Sequence, residues 1–415
     1  MIKLKKLFQL LGPGLIYAGA AVGVSHLVQS TRAGADFGFD LIWILILANI
    51  IKYPFFEFAP RYVSATGKSL LDGYQQIGKW AVVAFGVLTL VTMFAIQAAV
   101  TIVTAGLISF IFKINLNITL VCAIILLVLT SIVAIGKYKA IDKSVKFIIV
   151  LLAISTIVAV TSGFGSSESL EFSGIFNWSE KAHIYFLIAF VGWMPSPIDA
   201  SVWTSLWSVE KRNQLGFKPR LKQSFLDFKI GYISTTFLAI CFLSLGALII
   251  RGSGTDLSPQ GAVFAGQLIS LYTKTIGEWA FYIIAIAAIA TMVSTTLTCL
   301  DAYPRVLQPT TEILFPSFRK KFGSKARFLW LIILVIGTII LLVFLSNTMG
   351  AMVDIATTLS FVTAPILAFM NYKAVNNHHI PDDHKPSKLM RIFAWFGIFT
   401  LSIFTLFFLY YRFII

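Results

Sequence analysis

Apolar runs of roughly 20 residues recur from one end of this chain to the other, about eleven in all, and they leave it few ways to fold. Each run is long enough to cross the hydrocarbon of a bilayer as a helix, and no soluble core of this size would hide them all. The composition agrees: 58% of the 415 residues are hydrophobic and 12% are charged, which is the balance of a polytopic membrane protein. Inside lipid every backbone amide needs a partner within the chain, so the fold class is all-α. Hydropathy, punctuated by Gly, Pro and charge clusters, places the spans roughly at 11–36, 40–64, 80–112, 116–135, 141–163, 182–208, 224–250, 276–301, 327–347, 350–372 and 390–413.

The net charge of +15 does not describe a nucleic-acid binder, because the Lys and Arg residues lie scattered in short loops between spans. They gather in alternate loops: "GKYKAIDKSVK", "VEKRNQLGFKPRLKQ", "FRKKFGSKAR" and "NYKAVNNHHIPDDHKPSKLMR". The positive-inside rule then puts those loops, and the terminus bearing Lys3, Lys5 and Lys6, in the cytoplasm, with the C-terminus outside. The basic and then apolar opening continues into a span with no cleavage site, so it reads as a retained first helix of a multi-pass cell-membrane protein. Cys122, Cys241 and Cys299 lie in apolar runs without CxxC spacing and read as small core residues. His378, His379 and His384 with Asp382 and Asp383 read as a solvated connector, or as a metal-sensing patch.

Two spans carry a polar, helix-breaking patch near mid-membrane, and they are five spans apart. The first contains "VGVSH", with Gly23, Ser25 and His26; the sixth contains "FVGWMPSPIDASVW", where Pro195 and Pro197 remove two amide donors close to Met194, Ser196 and Asp199. Interrupted helices at matching positions of two halves point to an inverted-repeat secondary transporter with a midplane binding site between the breaks. The expected architecture is a single transporter domain over 1–415: a first repeat of about 11–163, a second of about 182–372, and an extra helix at about 390–413, with helices 1 and 6 discontinuous.

The stretches "GPGLIYAGAAV", "AGADFGFDLIWILILANI" and "GWMP" resemble the Nramp family of divalent-metal transporters, which have the leucine-transporter fold. The resemblance implies a divalent metal as cargo. It also implies a metal site where the family has Asp-Pro-Gly-Asn in the first helix and Met-Pro-His in the sixth. At those places this chain has Gly23, Val24, Ser25 and His26, and Met194, Pro195 and Ser196. The family's third-span carboxylates are also missing here, where Gln97 is the strongly polar residue.

A borderline transition metal accepts imidazole, thioether, carboxylate and backbone carbonyls, so His26, Met194 and Asp199 are the candidate metal ligands. Gly23, Ser25 and Ser196 complete the candidate substrate site. Each residue also has a plainer reading: His26 as a bonded packing residue, Asp199 as a helix cap, Met194 as core. Ser294, Thr295 and Thr298 in the eighth span form a possible coupling-ion site, or bond their own helix. Glu57 and Arg61, spaced i,i+4, form a possible gating pair. Lys52 and Asp354 are isolated charges that need partners or a wet cavity, and Arg32 is placed to snorkel toward headgroups.

The expected function is therefore secondary transport of a divalent cation by alternating access. The alternative keeps the fold and moves a small anion or zwitterion, possibly coupled to sodium. No HExxH motif, nucleophile elbow or Walker loop suggests an enzyme, and no resident cofactor is expected. The expected partners are the cargo and the lipid bilayer; the oligomeric state is open, and a monomer suffices for this architecture.

Overall fold

A computed structural model describes residues 12–135, 138–166, 175–215, 220–251, 256–345 and 348–413, and every regular element among them is helical. Lys3, Lys5 and Lys6 lie outside the described residues, as do parts of five of the inter-span loops. The first span is built as α1 (Pro13–Ala21), a π-helical turn (Ser25–Ser30) and α2 (Thr31–Phe37). Next come α3 (Ile42–Thr66), a short α4 (Leu70–Ile77), α5 (Lys79–Ile111), α6 (Ile118–Ala134) and α7 (Tyr138–Ser166). The sixth span is α8 (Lys181–Trp193) and α9 (Ala200–Leu215), with an extended link between them. The chain continues through α10 (Leu221–Leu245), α11 (Gly261–Ile276), α12 (Ala280–Leu314), α13 (Pro316–Phe322), α14 (Ala326–Leu345), α15 (Met349–Val375) and α16 (Lys388–Phe413).

Seven of these helices are long and apolar enough to cross a membrane, and shorter apolar helices occur at 118–134, 150–164 and 181–193. The longest two, α5 with 33 residues and α12 with 35, are the third and eighth spans, and they lie against each other at the centre of the bundle. At about 1.5 Å per residue both exceed the thickness of the hydrocarbon. The periphery differs. Only 28% of the most apolar window of α14 and 33% of that of α16 is covered by protein, against 72% for α12. Their bare faces carry Phe344, Trp395, Phe399 and Phe413, side chains suited to lipid.

One element of the second half departs from the sequence expectation. The stretch between the seventh and eighth spans, to which the hydropathy reading gives no element, contains α11. Phe264, Leu268, Leu271 and Tyr272 repeat at helical spacing and are buried against α5 and α7. At 16 residues the helix falls short of a span, which is why hydropathy alone passed over it.

Two reciprocal glycine pairs fix the broken first span to α10. A Cβ on Gly14 would strike the backbone of Asp227, and one on Gly231 would strike the backbone of Gly14. Near the other end the same holds for Gly34 against Leu243 and for Gly246 against Thr31. Close backbone approach through small residues is how helices associate where the hydrophobic effect gives no drive. The start of α1 is also held by charge: the Asp227 carboxylate accepts from the Gly12 and Gly14 amides at 2.9 and 2.8 Å. Gly231→Val should therefore destabilise the protein by about 1–3 kcal/mol or more and lower the unfolding midpoint in detergent. Gly350→Ala is the control, since its Cβ would meet nothing closer than 3.8 Å and should leave the midpoint in place.

Candidate functional site

At the first break the amide ladder turns back on itself. The Gly23 amide donates to Ala21 at 2.8 Å, while the Gly23 carbonyl receives the amides of both His26 and Leu27 at 3.1 and 2.9 Å. Gly23 lies flush on the eighth span; a Cβ there would come within 2.6 Å of the Thr295 hydroxyl. The break thus touches the candidate coupling-ion residues. The Thr295 and Thr298 hydroxyls nevertheless donate to carbonyls of their own helix, at Thr291 (3.1 Å) and Ser294 (2.8 Å). Ser294 is buried beside them.

His26 is fully buried, and both of its ring nitrogens are engaged. Nε2 lies 2.8 Å from the Thr235 carbonyl on α10, and Nδ1 lies 2.8 Å from the Ser25 hydroxyl. A carbonyl only accepts, so Nε2 carries the proton and the Nδ1 lone pair faces Ser25. That hydroxyl has a single proton, which the Nδ1 lone pair shares with the Ala21 carbonyl 2.6 Å away. The imidazole therefore leans on the seventh span, with its edge toward Phe242, and is turned away from the sixth.

The second break is extended from Met194, and its Met194–Pro195 peptide is cis. Met194 is fully buried with Phe190 and Leu243, and its sulfur receives the Ser30 hydroxyl at 3.8 Å. Here the two breaks meet, since Ser30 sits in the π-helical turn and also lies 3.1 Å from the Ser25 carbonyl. Ser196 is buried in the link. Asp199 is 5% exposed, and its Oδ1 has no partner in the protein. It shares a small cavity with Thr89 and Thr92 of α5 and Ser360 and Thr363 of α15, and the Thr89 hydroxyl is likewise unpartnered. The structure thus joins Ser25 to His26 and Met194 to the first span, while Asp199 faces the third and tenth spans. Among the described residues no group of three or more His, Cys, Asp or Glu side chains converges.

The second half of the sixth span, α9, is anchored just past Asp199. Asn371 donates to the Ser201 hydroxyl at 2.8 Å and to the Phe55 carbonyl at 3.0 Å, and accepts from the Tyr74 hydroxyl at 2.5 Å. Lys52, isolated in the sequence, also finds its place here. Its ammonium is fully buried and donates to the Val191 and Gly192 carbonyls at 2.6 and 2.8 Å. Both carbonyls belong to the last turn of α8.

Ion pairs occupy both ends of the bundle. At one end Arg32 and Gln29 of the first span bind Asp354 of α15 at 2.8 and 3.3 Å. Arg32 thus pairs within the protein, where the sequence suggested snorkelling. At the other end Arg305 bridges Glu210 of α9 (2.6 Å) and Asp301 (3.0 Å), and Arg327 of α14 joins Asp301. Glu57 and Arg61 form their i,i+4 pair at 2.6 Å, and the same guanidinium donates to the His384 and Lys385 carbonyls. That pair pins the connector before α16. Within the connector, burial and the neighbouring His378 and Lys68 charges hold His379 below the ordinary imidazole value, and its Nε2 lies 3.2 Å from the Tyr62 hydroxyl. His384 instead pairs with Asp383 at 2.8 Å.

Two discontinuous helices meeting mid-bundle around a buried carboxylate define a membrane transporter of the leucine-transporter fold. The family profile described as natural resistance-associated macrophage protein-like matches residues 14–411, and the chain belongs to that family, Nramp. An uncharacterised protein of Pasteurella multocida is 33% identical over 409 residues, covering 97% of this chain and 92% of its own length. The divalent metal cation transporter MntH of Staphylococcus saprophyticus is 22% identical, with 96% of this chain and 91% of that one covered. Among solved structures, a manganese transporter mutant of Eremococcus coleocola aligns with a TM-score of 0.67 at 15% identity, over 97% of this chain and 86% of that one. MhsT in complex with L-phenylalanine aligns at 0.64 and 15% identity, over 95% and 98%. At such identity the two structures speak to the fold alone.

Sequence reasoning missed Ser30, Thr235, Thr89 and Asn371, whose roles depend on contacts between distant spans. Asn371→Ala should destabilise by about 1–3 kcal/mol, because Tyr74, Ser201 and the Phe55 carbonyl each lose a buried partner; a lowered unfolding midpoint measures it.

Proposed function

We propose that this chain is a secondary transporter that moves a divalent metal cation across the membrane by alternating access around the two breaks. The observation that carries this reading is Asp199: a buried carboxylate at a helix break, with an oxygen that nothing in the protein satisfies, in a family whose relatives include metal transporters. A carboxylate at that depth is costly unless it meets a cation. Met194 and the carbonyls around Gly23 and Ser196 supply softer and neutral donors. His26 joins them only when its ring turns off the Thr235 carbonyl, so imidazole ligation belongs to another state of the cycle. Ser294, Thr295 and Thr298 are the proposed coupling-ion hydroxyls on the same logic, able to turn from their helix when Gly23 moves off Thr295.

The test is uptake by proteoliposomes loaded with a metal-quenched dye and offered Mn, Fe, Co or Cd. Asp199→Asn should slow uptake by at least about tenfold, a loss of about 1.4 kcal/mol in transition-state or binding free energy. Robust flux through the Asp199→Asn, His26→Ala double variant would remove both residues from the site.

A second reading is favoured by one observation, the Lys52 ammonium fixed at the end of α8, since a positive group beside a break suits a small anion or zwitterion. Sodium-dependent uptake of such a solute, indifferent to metals, would establish it.

In either case the ion pairs at the two ends serve as gates. The Arg32–Asp354 pair closes what we take as the outer end, and the Arg305, Asp301, Glu210 and Arg327 group closes the cytoplasmic end, with the N-terminus inside. Asp354→Asn should free the outer half of the first span. Hydrogen exchange should then quicken by about tenfold or more at residues 25–37, with exchange at the α9 end unchanged.

A further inference from the structure

We propose that the Lys52 ammonium is a tethered cation, held on the cation-binding end of the sixth-span break, which any mobile cation must displace or share. The inference rests on the site reading above in placing binding at the break, though not on which cargo binds. It begins with Pro195. The helical partner of the Val191 carbonyl would be the amide of residue 195, and a proline has none. The partner of the Gly192 carbonyl would be Ser196, which lies in the extended link. The Val191 carbonyl keeps the Met194 amide alone, at 3.3 Å, and the Gly192 carbonyl loses its helical donor, so the negative end of α8 faces the break with acceptor capacity to spare. In hydrocarbon, exposed half-helix carbonyls of this kind are where a transporter holds a small cation.

Here a side chain occupies that position. Lys52 comes from α3, is fully buried, and gives its ammonium to both carbonyls at 2.6 and 2.8 Å. Both partners are neutral. Burying an ammonium costs several kcal/mol even after relaxation, and two neutral acceptors do not match the offset a carboxylate contact would give. A carboxylate lies on the far side of the break: Asp199 is near enough for the two charges to act on each other, yet no contact joins them and its Oδ1 stays unpartnered. The break therefore holds both halves of a cation site, carbonyls on one side and a carboxylate on the other. The protein's own ammonium sits on the carbonyl half, while the carboxylate half stays open.

Two consequences follow from charge alone. A mobile cation arriving at Asp199 meets a fixed positive charge nearby, which weakens its binding and favours its release. Discrimination also follows, because a divalent ion is repelled by the ammonium more strongly than a monovalent one and must gain more from its ligands.

A direct binding experiment on the purified full-length protein tests this. Thermal-shift titration with Mn2+, Na+ and K+ is compared for wild type, Lys52→Gln and Lys52→Arg. Gln keeps two N–H donors for the same carbonyls without the charge, and Arg keeps the charge, so a purely structural role of Lys52 would leave all three responses to cations alike. The expected result is cation binding at least about tenfold tighter in Lys52→Gln than in wild type, with no such gain in Lys52→Arg. Adding Asp199→Asn to Lys52→Gln should cancel the gain. Unchanged or weaker binding of every cation by Lys52→Gln overturns the proposal, as does an equal gain in Lys52→Arg. The fate of the metal reading is separate: a wild type inert to Mn2+ in flux while Lys52→Gln gains cation binding keeps the tether and discards the metal cargo. Wild-type Mn2+ flux with no gain in Lys52→Gln does the reverse.

Discussion

Breaking a helix in hydrocarbon releases backbone groups that water cannot reach, and the centre of this protein is organised around satisfying them. At the first break the chain does so locally: Gly23 folds its amide back to Ala21, its carbonyl takes two amides, and the Ser25 hydroxyl caps the Ala21 carbonyl. At the second it does so by import, with Lys52 arriving from the second span and Asn371 from the tenth. Each import ties a broken helix to a neighbour. The broken helices are held in place by a small number of polar contacts and by apolar packing.

The first span shows how rigidity and mobility are divided. Its two halves are pressed onto the seventh span through Gly14 and Gly231 at one end and Gly34 and Gly246 at the other, where there is no room for a side chain. His26 adds a bond to the Thr235 carbonyl between those pairs. The first and seventh spans are thus coupled along their whole length. Toward the sixth span, by contrast, the first offers the soft Ser30–Met194 contact, and toward the tenth a partly exposed ion pair. Motion of the first span would carry the seventh with it and leave the sixth and tenth behind.

Much of the architecture was legible in the sequence because a bilayer imposes simple rules. Span length follows from hydrocarbon thickness, and Pro195, Pro197 and Gly23 announce the breaks through their own backbone chemistry. The candidate site was legible only in part. Glu57 and Arg61 could be paired because four residues on one helix fix their geometry. Lys52, Asp354 and Arg32 could be recognised as charges in need of partners, but their partners lie far along the chain. For Lys52 the partner is backbone, which leaves no mark in a pattern of side chains. The orientation of His26 was hidden for the same reason, since a carbonyl of the seventh span decides it.

The fold is a shared scaffold: the structures of a manganese transporter mutant and of a complex with L-phenylalanine both superpose on this chain. What differs is the charge placed at the breaks. This chain has a histidine bound to its neighbours at the first break, a carboxylate with one unpartnered oxygen at the second, and an ammonium across from that carboxylate. Each charge acts over several ångströms in a medium of low dielectric, so on the reading proposed above the sum of Asp199 and Lys52 sets which cargo can rest at the break. On that reading a residue of the second span, outside the two broken helices altogether, weighs on cargo as much as the motifs within them.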